Sequence, residues 1–265
     1  MLQKSKILLL ALCSLALTAC DHIADDERLI EVKNSPQTPD EPETAVRTVL
    51  LEDFTGQRCV NCPKGTEVIE QLQEAYGDRL VAVGIHGGPL GFKGTAKAKG
   101  LATSVGDEYF SHWNLEYQPV GLIDRHGATN YTDWTAAVRQ QMSQPSSIKM
   151  ALTATLSNGQ IAISVEEEPY ADYNGKLQVW VLEDGITALQ SMPDGTNNAN
   201  YVHNHVLRTP VNGTWGQDIT LSKGTKAEQS MTQAVDPEWN TGRLSVVAFV
   251  YNDSGVEQAV KAPVK

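Results

Sequence analysis

A pair of cysteines separated by two residues constrains the fold of this chain more than any other feature. Cys59 and Cys62 lie between an apolar, β-rich run that ends at Phe54 and a run with helical spacing that follows Pro63. Two thiols at this spacing can close a small disulfide ring and open it again. A proline fits the first turn of a helix without the loss of a hydrogen bond. The sequence therefore predicts a cysteine pair at the N-terminus of a helix that follows a strand.

The first twenty residues have the features of an export signal. Two lysines precede an apolar run over residues 7–17, which is too short to cross a bilayer. The run ends in Leu17-Thr18-Ala19-Cys20, which resembles a bacterial lipobox. The resemblance implies removal of residues 1–19 and a lipid on Cys20, and a plain cleaved signal with an incidental cysteine is the alternative. Export predicts a place in the cell envelope, where disulfides persist.

The cysteine count then narrows the chemistry. The chain has four cysteines, of which Cys13 leaves with the signal and Cys20 would carry lipid. Any intramolecular disulfide therefore joins Cys59 and Cys62. So short a loop removes little entropy from the unfolded chain, which favours redox use over a structural bridge. Zinc needs about four ligands, and without a second pair neither a metal nor a cofactor is predicted.

Composition limits the partners of the chain. It has 21 basic and 32 acidic residues, a net charge of −11, which argues against a nucleic-acid partner because phosphates need a basic face. Residues 20–46 are rich in proline and polar groups and are predicted to form a disordered tether behind Cys20. The acidic run Asp25-Asp26-Glu27 is either a solvated stretch or a sorting signal, since it resembles the surface-export signals of Bacteroidetes lipoproteins.

Residues 47–144 alternate strand-like and helix-like runs. Strands are predicted over residues 48–54, 80–85 and 120–124, with a short fourth strand after Gly127. Helices are predicted after Pro63, over residues 96–113 and after Asp133. This βαβαββα order, with the cysteine pair at the start of the first helix, resembles the thioredoxin fold. The resemblance implies an α/β thioredoxin-like domain over residues 47–144.

Two further residues carry the thioredoxin resemblance. Asp53 lies six positions before Cys59, where thioredoxins have a buried acid beneath the resolving cysteine. Glu52 is an equally suitable inward carboxylate if the strand register slips by one residue. Pro119 opens the third strand, where the family has a cis-proline that faces the disulfide, and a trans loop proline is the alternative.

The position of the pair predicts its chemistry. A thiolate at a helix N-terminus meets unpaired N–H groups and the positive end of the helix dipole, which lower its pKa. Cys59 is therefore expected to be the exposed nucleophile, and Arg58, which replaces the usual tryptophan, adds a positive charge beside it. Cys62 is expected to be the buried resolving thiol whose proton Asp53 accepts. The predicted catalytic residues are Cys59, Cys62, Asp53, Pro119 and Arg58.

The pattern changes after Pro145. Apolar residues alternate with polar ones, and Asn158-Gly159 is a hairpin turn. Seven or more short strands without helices predict an all-β, immunoglobulin-like antiparallel sandwich over residues 145–265. His203 and His205 alternate along one strand and have the chemistry of metal ligands. A surface or packing role is favoured because no third ligand is evident.

The whole arrangement resembles the Omp28-related outer-membrane lipoproteins of Bacteroidetes. The matching features are the lipobox, the proline-rich tether, residues 54–63, Gln118-Pro119 with Asp124-Arg125, and the strand-like runs at 201–208 and 246–250. Two functions follow as hypotheses. The first is a lipid-anchored thiol–disulfide oxidoreductase whose partners are envelope proteins with thiols or disulfides. The second is a non-enzymatic binding or adhesion lipoprotein that uses the thioredoxin-like part as a scaffold.

Overall fold

The computed structural model describes residues 43–265. The predicted signal peptide, lipidated Cys20, the acidic run behind it and most of the predicted tether lie outside the described residues. Within residues 43–265, none of the helices has the length and apolarity needed to cross a bilayer.

Three α-helices and fourteen strands make up the described part of the chain. The helices are α1 (Cys62–Tyr76), α2 (Ser104–His112) and α3 (Trp134–Met142). The strands are β1 (Val49–Thr55), β2 (Leu80–His86), β3 (Val120–Ile123), β4 (Ala128–Asn130), β5 (Ile148–Ser157), β6 (Gln160–Pro169), β7 (Tyr173–Glu183), β8 (Ile186–Ser191), β9 (Asn197–His203), β10 (Val206–Pro210), β11 (Gln217–Leu221), β12 (Ala227–Ala234), β13 (Leu244–Asn252) and β14 (Gly255–Pro263). The order up to Met142 is β-α-β-α-β-β-α, as the sequence predicts.

The first helix forms where its sequence signals place it. Pro63 occupies its first turn, Ile69 and Leu72 face the interior, and Gly77 ends it at a φ of 55°. The second helix is shorter than the predicted range 96–113. Thr103 caps it by accepting a hydrogen bond from the Gly106 N–H at 3.0 Å. The residues before it form a loop, in which the Thr95 N–H donates to the Ala98 carbonyl at 2.9 Å and the Ala98 N–H donates back to the Thr95 carbonyl at 3.3 Å.

One nine-stranded sheet contains strands from both parts of the chain. Its order is β14-β13-β7-β10-β2-β1-β3-β4, and β11 pairs with β7. The connection is the parallel contact between β10 and β2, where Val206 faces Gly84 and the Gly84 N–H donates to the His205 carbonyl at 2.8 Å. A second sheet, β12-β6-β5, packs on this one through a core that includes Ile161, Val165 and Val246. The fold is therefore mixed α/β with one large sheet.

The strands predicted after Pro145 are present, but this sheet order does not show an immunoglobulin-like topology. Five of those strands continue the sheet that β1 to β4 begin, because β2 offers its free edge to β10. The predicted boundary between residues 144 and 145 falls between α3 and β5, and residues 43–265 lie within one compact unit.

Helices cover both faces of the sheet around β1. On one face Val49 and Leu51 pack with α1 and α3. On the other face Leu50 and Phe54 pack with α2 and with aromatic residues of β7 and β13. Successive side chains of a strand point to opposite faces, so Glu52 and Asp53 must enter different environments.

Candidate functional site

The cysteine pair forms a disulfide at the N-terminus of α1. Cys59 and Cys62 are bonded to each other, with their Cα atoms 5.4 Å apart. The turn is closed by hydrogen bonds from the Cys59 N–H to the Gly56 carbonyl at 3.0 Å and from the Cys62 N–H to the Cys59 carbonyl at 3.3 Å. Cys62 is the first residue of the helix, where unpaired N–H groups favour a thiolate.

The prediction that Cys59 is exposed is wrong. Cys59 is 1% exposed and Cys62 is 2% exposed. The hairpin of β8 and β9 borders the cysteine turn. The Gln190 side chain donates to the Cys59 carbonyl at 2.8 Å, and the Ser191 N–H donates to the Gln57 carbonyl at 2.8 Å. A segment remote in sequence therefore packs against the turn, and the local sequence around the cysteines contains no signal for it.

Two other predicted site residues are Arg58, next to the cysteine pair, and Pro119, at the start of β3. Arg58 is exposed, and its guanidinium lies 5.0 Å from the centre of the Phe92 ring. The Gln118–Pro119 peptide is cis, the isomer that the sequence resemblance implies. The Gln118 side chain ties the neighbouring loop to this proline, since it accepts from the Leu90 N–H at 3.1 Å and donates to the Gly87 carbonyl at 3.0 Å.

Both candidate acids of β1 are buried, on opposite faces. Glu52 pairs with Arg125 through contacts of 3.1 Å from its carboxylate oxygens to Nε and Nη2. Asp53 faces α1 and lines a cavity that Cys62 also lines. Burial raises the pKa of Asp53 from 3.8 to about 8. Asp53 is thus the acid on the cysteine side of the sheet, and it is mostly protonated at neutral pH.

The cavity beside Cys62 has a volume of about 160 Å³. His86 at the end of β2 and His203 at the end of β9 line it, with ring centres 5.2 Å apart. Burial lowers the pKa of His86 well below its usual value, and it lowers the pKa of His203 to about 4. Both imidazoles are therefore neutral at neutral pH. Sequence analysis gave His203 a surface or packing role and did not single out His86.

The cavity has polar walls whose hydrogen bonding is incomplete. Within residues 43–265, no hydrogen-bond partner is found for Asp53 Oδ1, His86 Nδ1 or His203 Nε2. The same part of the chain contains no group of three or more His, Cys, Asp or Glu side chains arranged to hold a metal ion. The arrangement brings together a disulfide, a neutral carboxyl group and two neutral imidazoles, which are groups that exchange electrons and protons.

A match to a known protein family shows which family the chain belongs to. The model of the family described as outer membrane protein Omp28 matches residues 106–265, more than half of the chain. The chain belongs to the Omp28 family. This membership agrees with the predicted cell-envelope location and confirms the predicted Omp28 relationship over residues 106–265. Searched against curated proteins, the chain has no match.

Solved structures that superpose with TM-scores of 0.50 or more share the fold of this Omp28-family chain. HBP35 of Porphyromonas gingivalis superposes with a TM-score of 0.66 at 14% identity, over 83% of this chain and 76% of HBP35. A protein of Agrobacterium tumefaciens superposes with a TM-score of 0.50 at 16% identity, over 84% of this chain and 96% of that protein. A domain of the outer membrane lipoprotein Omp28 from P. gingivalis is 24% identical over 45% of this chain and 89% of that domain, with a TM-score of 0.35.

Proposed function

We propose that the chain is a thiol–disulfide oxidoreductase of the cell envelope. The observation that carries the proposal is the Cys59–Cys62 disulfide at the start of α1, beside a buried carboxyl group whose pKa is about 8. The helix N-terminus stabilises a thiolate, and the nearby acid has a pKa close to that of a thiol, which suits proton exchange between them. The β-α-β-α-β-β-α order and the cis Gln118–Pro119 peptide add support for the thioredoxin-like assignment of this part of the chain.

The catalytic roles follow from the positions of the two cysteines. The Cys59 thiolate attacks a partner disulfide, forms a mixed disulfide and releases one partner thiolate. The Cys62 thiol then loses its proton, its thiolate attacks the Cys59 sulfur, and the second partner thiolate leaves. The chain gains a disulfide and the partner gains two thiols. The reverse sequence transfers the disulfide to the partner.

Lipid on Cys20 is proposed as the anchor to the outer membrane, since the lipobox-like sequence and the family membership support it. Membrane fractionation tests this part, because a Cys20→Ala variant should be released from membranes or stay unprocessed. A variant that is processed normally and remains in the membrane fraction rules out the lipid anchor.

A second candidate function is a non-enzymatic binding lipoprotein with an inert disulfide. The burial of both cysteines favours it, because a partner cannot reach Cys59 in this arrangement. A cavity of about 810 Å³ walled by Trp113, Trp215 and Tyr251 offers a surface for ligands, and such volumes are typical of binding sites.

Trapping of mixed disulfides distinguishes the two functions. A Cys62→Ser variant lacks the resolving thiol, so Cys59 should remain linked to envelope proteins in complexes that migrate slowly on non-reducing gels. A Cys59→Ser variant is the matched control and should trap few partners. In the reduced protein, Cys59 should react with a thiol probe near neutral pH faster than Cys62 does. Equal inertness of both cysteines, together with an absence of complexes, contradicts the oxidoreductase and leaves the binding protein.

A further inference from the structure

The proton released by Cys62 needs a route out of the interior. Cys62 is 2% exposed, so its thiol cannot give its proton directly to solvent when it becomes a thiolate. Asp53 is the nearby acid, but burial raises its pKa to about 8. At neutral pH this carboxyl group already holds a proton in most molecules. In those molecules the proton of Cys62 needs another acceptor on the same side of the sheet.

Two imidazoles on the wall of the same cavity have the required form. His86 comes from β2 and His203 from β9, and their rings pack edge to face at 5.2 Å. Both are neutral at neutral pH, because burial lowers the pKa of each. A neutral imidazole accepts a proton at one nitrogen while it donates from the other, so it passes a proton on without a lasting imidazolium. Within the described residues, His86 Nδ1 and His203 Nε2 have no hydrogen-bond partner, so each is free to exchange a proton.

The cavity connects these groups. It has room for several waters, since each occupies about 30 Å³ in the liquid, and its volume is about 160 Å³. Gly84 is the register partner of Asp53, and its missing side chain leaves space beside the carboxyl group. The outer wall is the end of β9, where Val202 is 49% exposed next to buried His203. The cavity therefore extends from Cys62 to a strand that borders solvent.

We infer that His203, together with His86, relays the proton of Cys62 from the cavity to solvent while the disulfide forms and breaks. This inference rests on the proposed oxidoreductase function. In the oxidative direction the Cys62 S–H bond breaks, the proton passes through the cavity to an imidazole and then to solvent, and the Cys62 thiolate forms the bond to the Cys59 sulfur. The leaving partner thiolate carries away the electron pair of the broken disulfide. Reduction reverses each step.

Other titratable and charged groups act on the imidazoles or face the cavity. Burial opposes protonation of His86 most strongly, and the charges of His203 and of Arg208 of β10 act in the same direction. The remaining titratable groups that face the cavity are Asp53 of β1, Glu70 of α1, Tyr201 of β9 and His205 after β9.

The resolving step can be measured directly with the reduced full-length protein. An aromatic disulfide such as dithiobis(nitrobenzoate) reacts first with the Cys59 thiolate and releases one coloured thiolate. The second coloured thiolate appears only when Cys62 attacks the mixed disulfide, so its first-order rate reports loss of the Cys62 proton. In His203→Ala this second phase should slow by about 100-fold near pH 7, at the low end of general acid–base effects. The first phase should keep its rate.

Two comparisons separate proton relay from packing. Added imidazole should restore the second phase in His203→Ala, because the deletion leaves a space of the same shape. His203→Gln fills that space without carrying a proton at neutral pH, so it should remain slow, and it serves as the test if the alanine variant does not fold. His126→Ala, at an exposed histidine away from the cavity, should react as the wild type does.

Either of two results overturns the relay alone. In the first, the second phase of His203→Gln keeps the wild-type rate and pH profile. In the second, His203→Gln is fully active and added imidazole does not rescue the alanine variant. A reduced wild-type protein in which Cys62 never releases the second thiolate overturns both the relay and the oxidoreductase.

Discussion

Glu52 and Asp53 are adjacent acids that the fold buries in two different ways. Glu52 pairs with Arg125, whose guanidinium also lies over the rings of Tyr251 at 4.2 Å and Phe249 at 4.8 Å. Asp53 has no such partner, and burial raises its pKa to about 8. A buried charge is tolerated only when it is paired, and Arg125 pairs with Glu52. One face of β1 therefore holds a fixed ion pair and the other a proton that can move.

The raised pKa of Asp53 predicts how stability depends on pH. The carboxyl group loses its proton near 3.8 in the unfolded chain and at about 8 in the folded protein. Between these pH values the folded state binds more protons than the unfolded state does. Asp53 therefore contributes fully to the free energy of unfolding at acid pH. This contribution is lost as pH rises, by up to about 1.4 kcal/mol per unit. Asp53→Asn removes this dependence and should become more stable than the wild type as pH rises from 5 to 8.

Denaturant unfolding at several pH values, with the disulfide intact, measures this difference. Asp78→Asn, at an exposed acid in the turn after α1, is the matched control and should run parallel to the wild type. The prediction fails if the Asp53→Asn and wild-type stabilities keep a constant separation across this range.

The hairpin of β8 and β9 is one of the elements that cover the cysteine turn. It pairs within itself as a separate two-stranded sheet, and it meets the turn through side chains and through the backbone bond from the Ser191 N–H to the Gln57 carbonyl. Gln57, which is fully buried, donates to the Leu189 carbonyl at 2.9 Å and accepts from the Leu101 N–H at 2.8 Å. Gln190 donates back to the Cys59 carbonyl at 2.8 Å. Contact of a protein partner with Cys59 therefore requires movement of the elements that cover the turn, and this hairpin is one of them.

Loss of the Gln190 side chain should loosen the hairpin. In Gln190→Ala the carbonyls of Gly56 and Cys59 lose a donor, at a cost of about 1–2 kcal/mol in the free energy of unfolding. Reduction of the disulfide by glutathione should be faster than in the wild type, because the open hairpin is populated more often. Thr187→Ala removes an exposed side chain from the same strand and should reduce at the wild-type rate. A Gln190→Ala rate equal to that of Thr187→Ala argues that the hairpin does not limit access.

Across the whole molecule, residues 47–144 form a first segment and residues 145–265 a second, and the two segments share buried groups as well as a sheet. Glu52 belongs to the first segment, while Tyr251 and Phe249 beside its partner Arg125 belong to the second. Arg47 makes the same connection, since its Nη1 donates to the Val256 carbonyl at 2.8 Å and lies 3.3 Å from Asp124 Oδ2.

Unfolding should therefore occur in one step. Tryptophan fluorescence, far-ultraviolet circular dichroism and exposure of the disulfide to reductant should follow a single transition in denaturant. A fragment of residues 47–144 should not unfold cooperatively, because it exposes the edge of β2 and strips Arg125 of its aromatic neighbours. Two separated transitions in the full chain, or a cooperatively folded fragment, would indicate two independent domains split at residue 144.

The parts that the sequence predicted correctly depend on local patterns. Pro63 and Gly77 bound α1, Asn158-Gly159 makes the tight turn between β5 and β6, and the cysteine count leaves one disulfide. The parts that it missed depend on contacts between distant segments. Residues 197–200 of β9 are polar and exposed, so they lack the alternation that marks a strand, and the hairpin that borders Cys59 was not predicted. His86 shows no metal-ligand spacing in the sequence, and its place beside His203, a residue on that hairpin, comes from the fold.

The pairing of β10 with β2 also sets the order in which the protein can complete its fold during synthesis. The chain emerges from its N-terminus, so β1, β2 and α1 are available long before Val206 is made. Until then β2 presents a row of unpaired backbone groups to its surroundings, and such an edge recruits other chains. The nascent protein is therefore most prone to aggregation after the cysteines have emerged and before β10 arrives. A truncation that removes β10 would leave every product permanently in that vulnerable state.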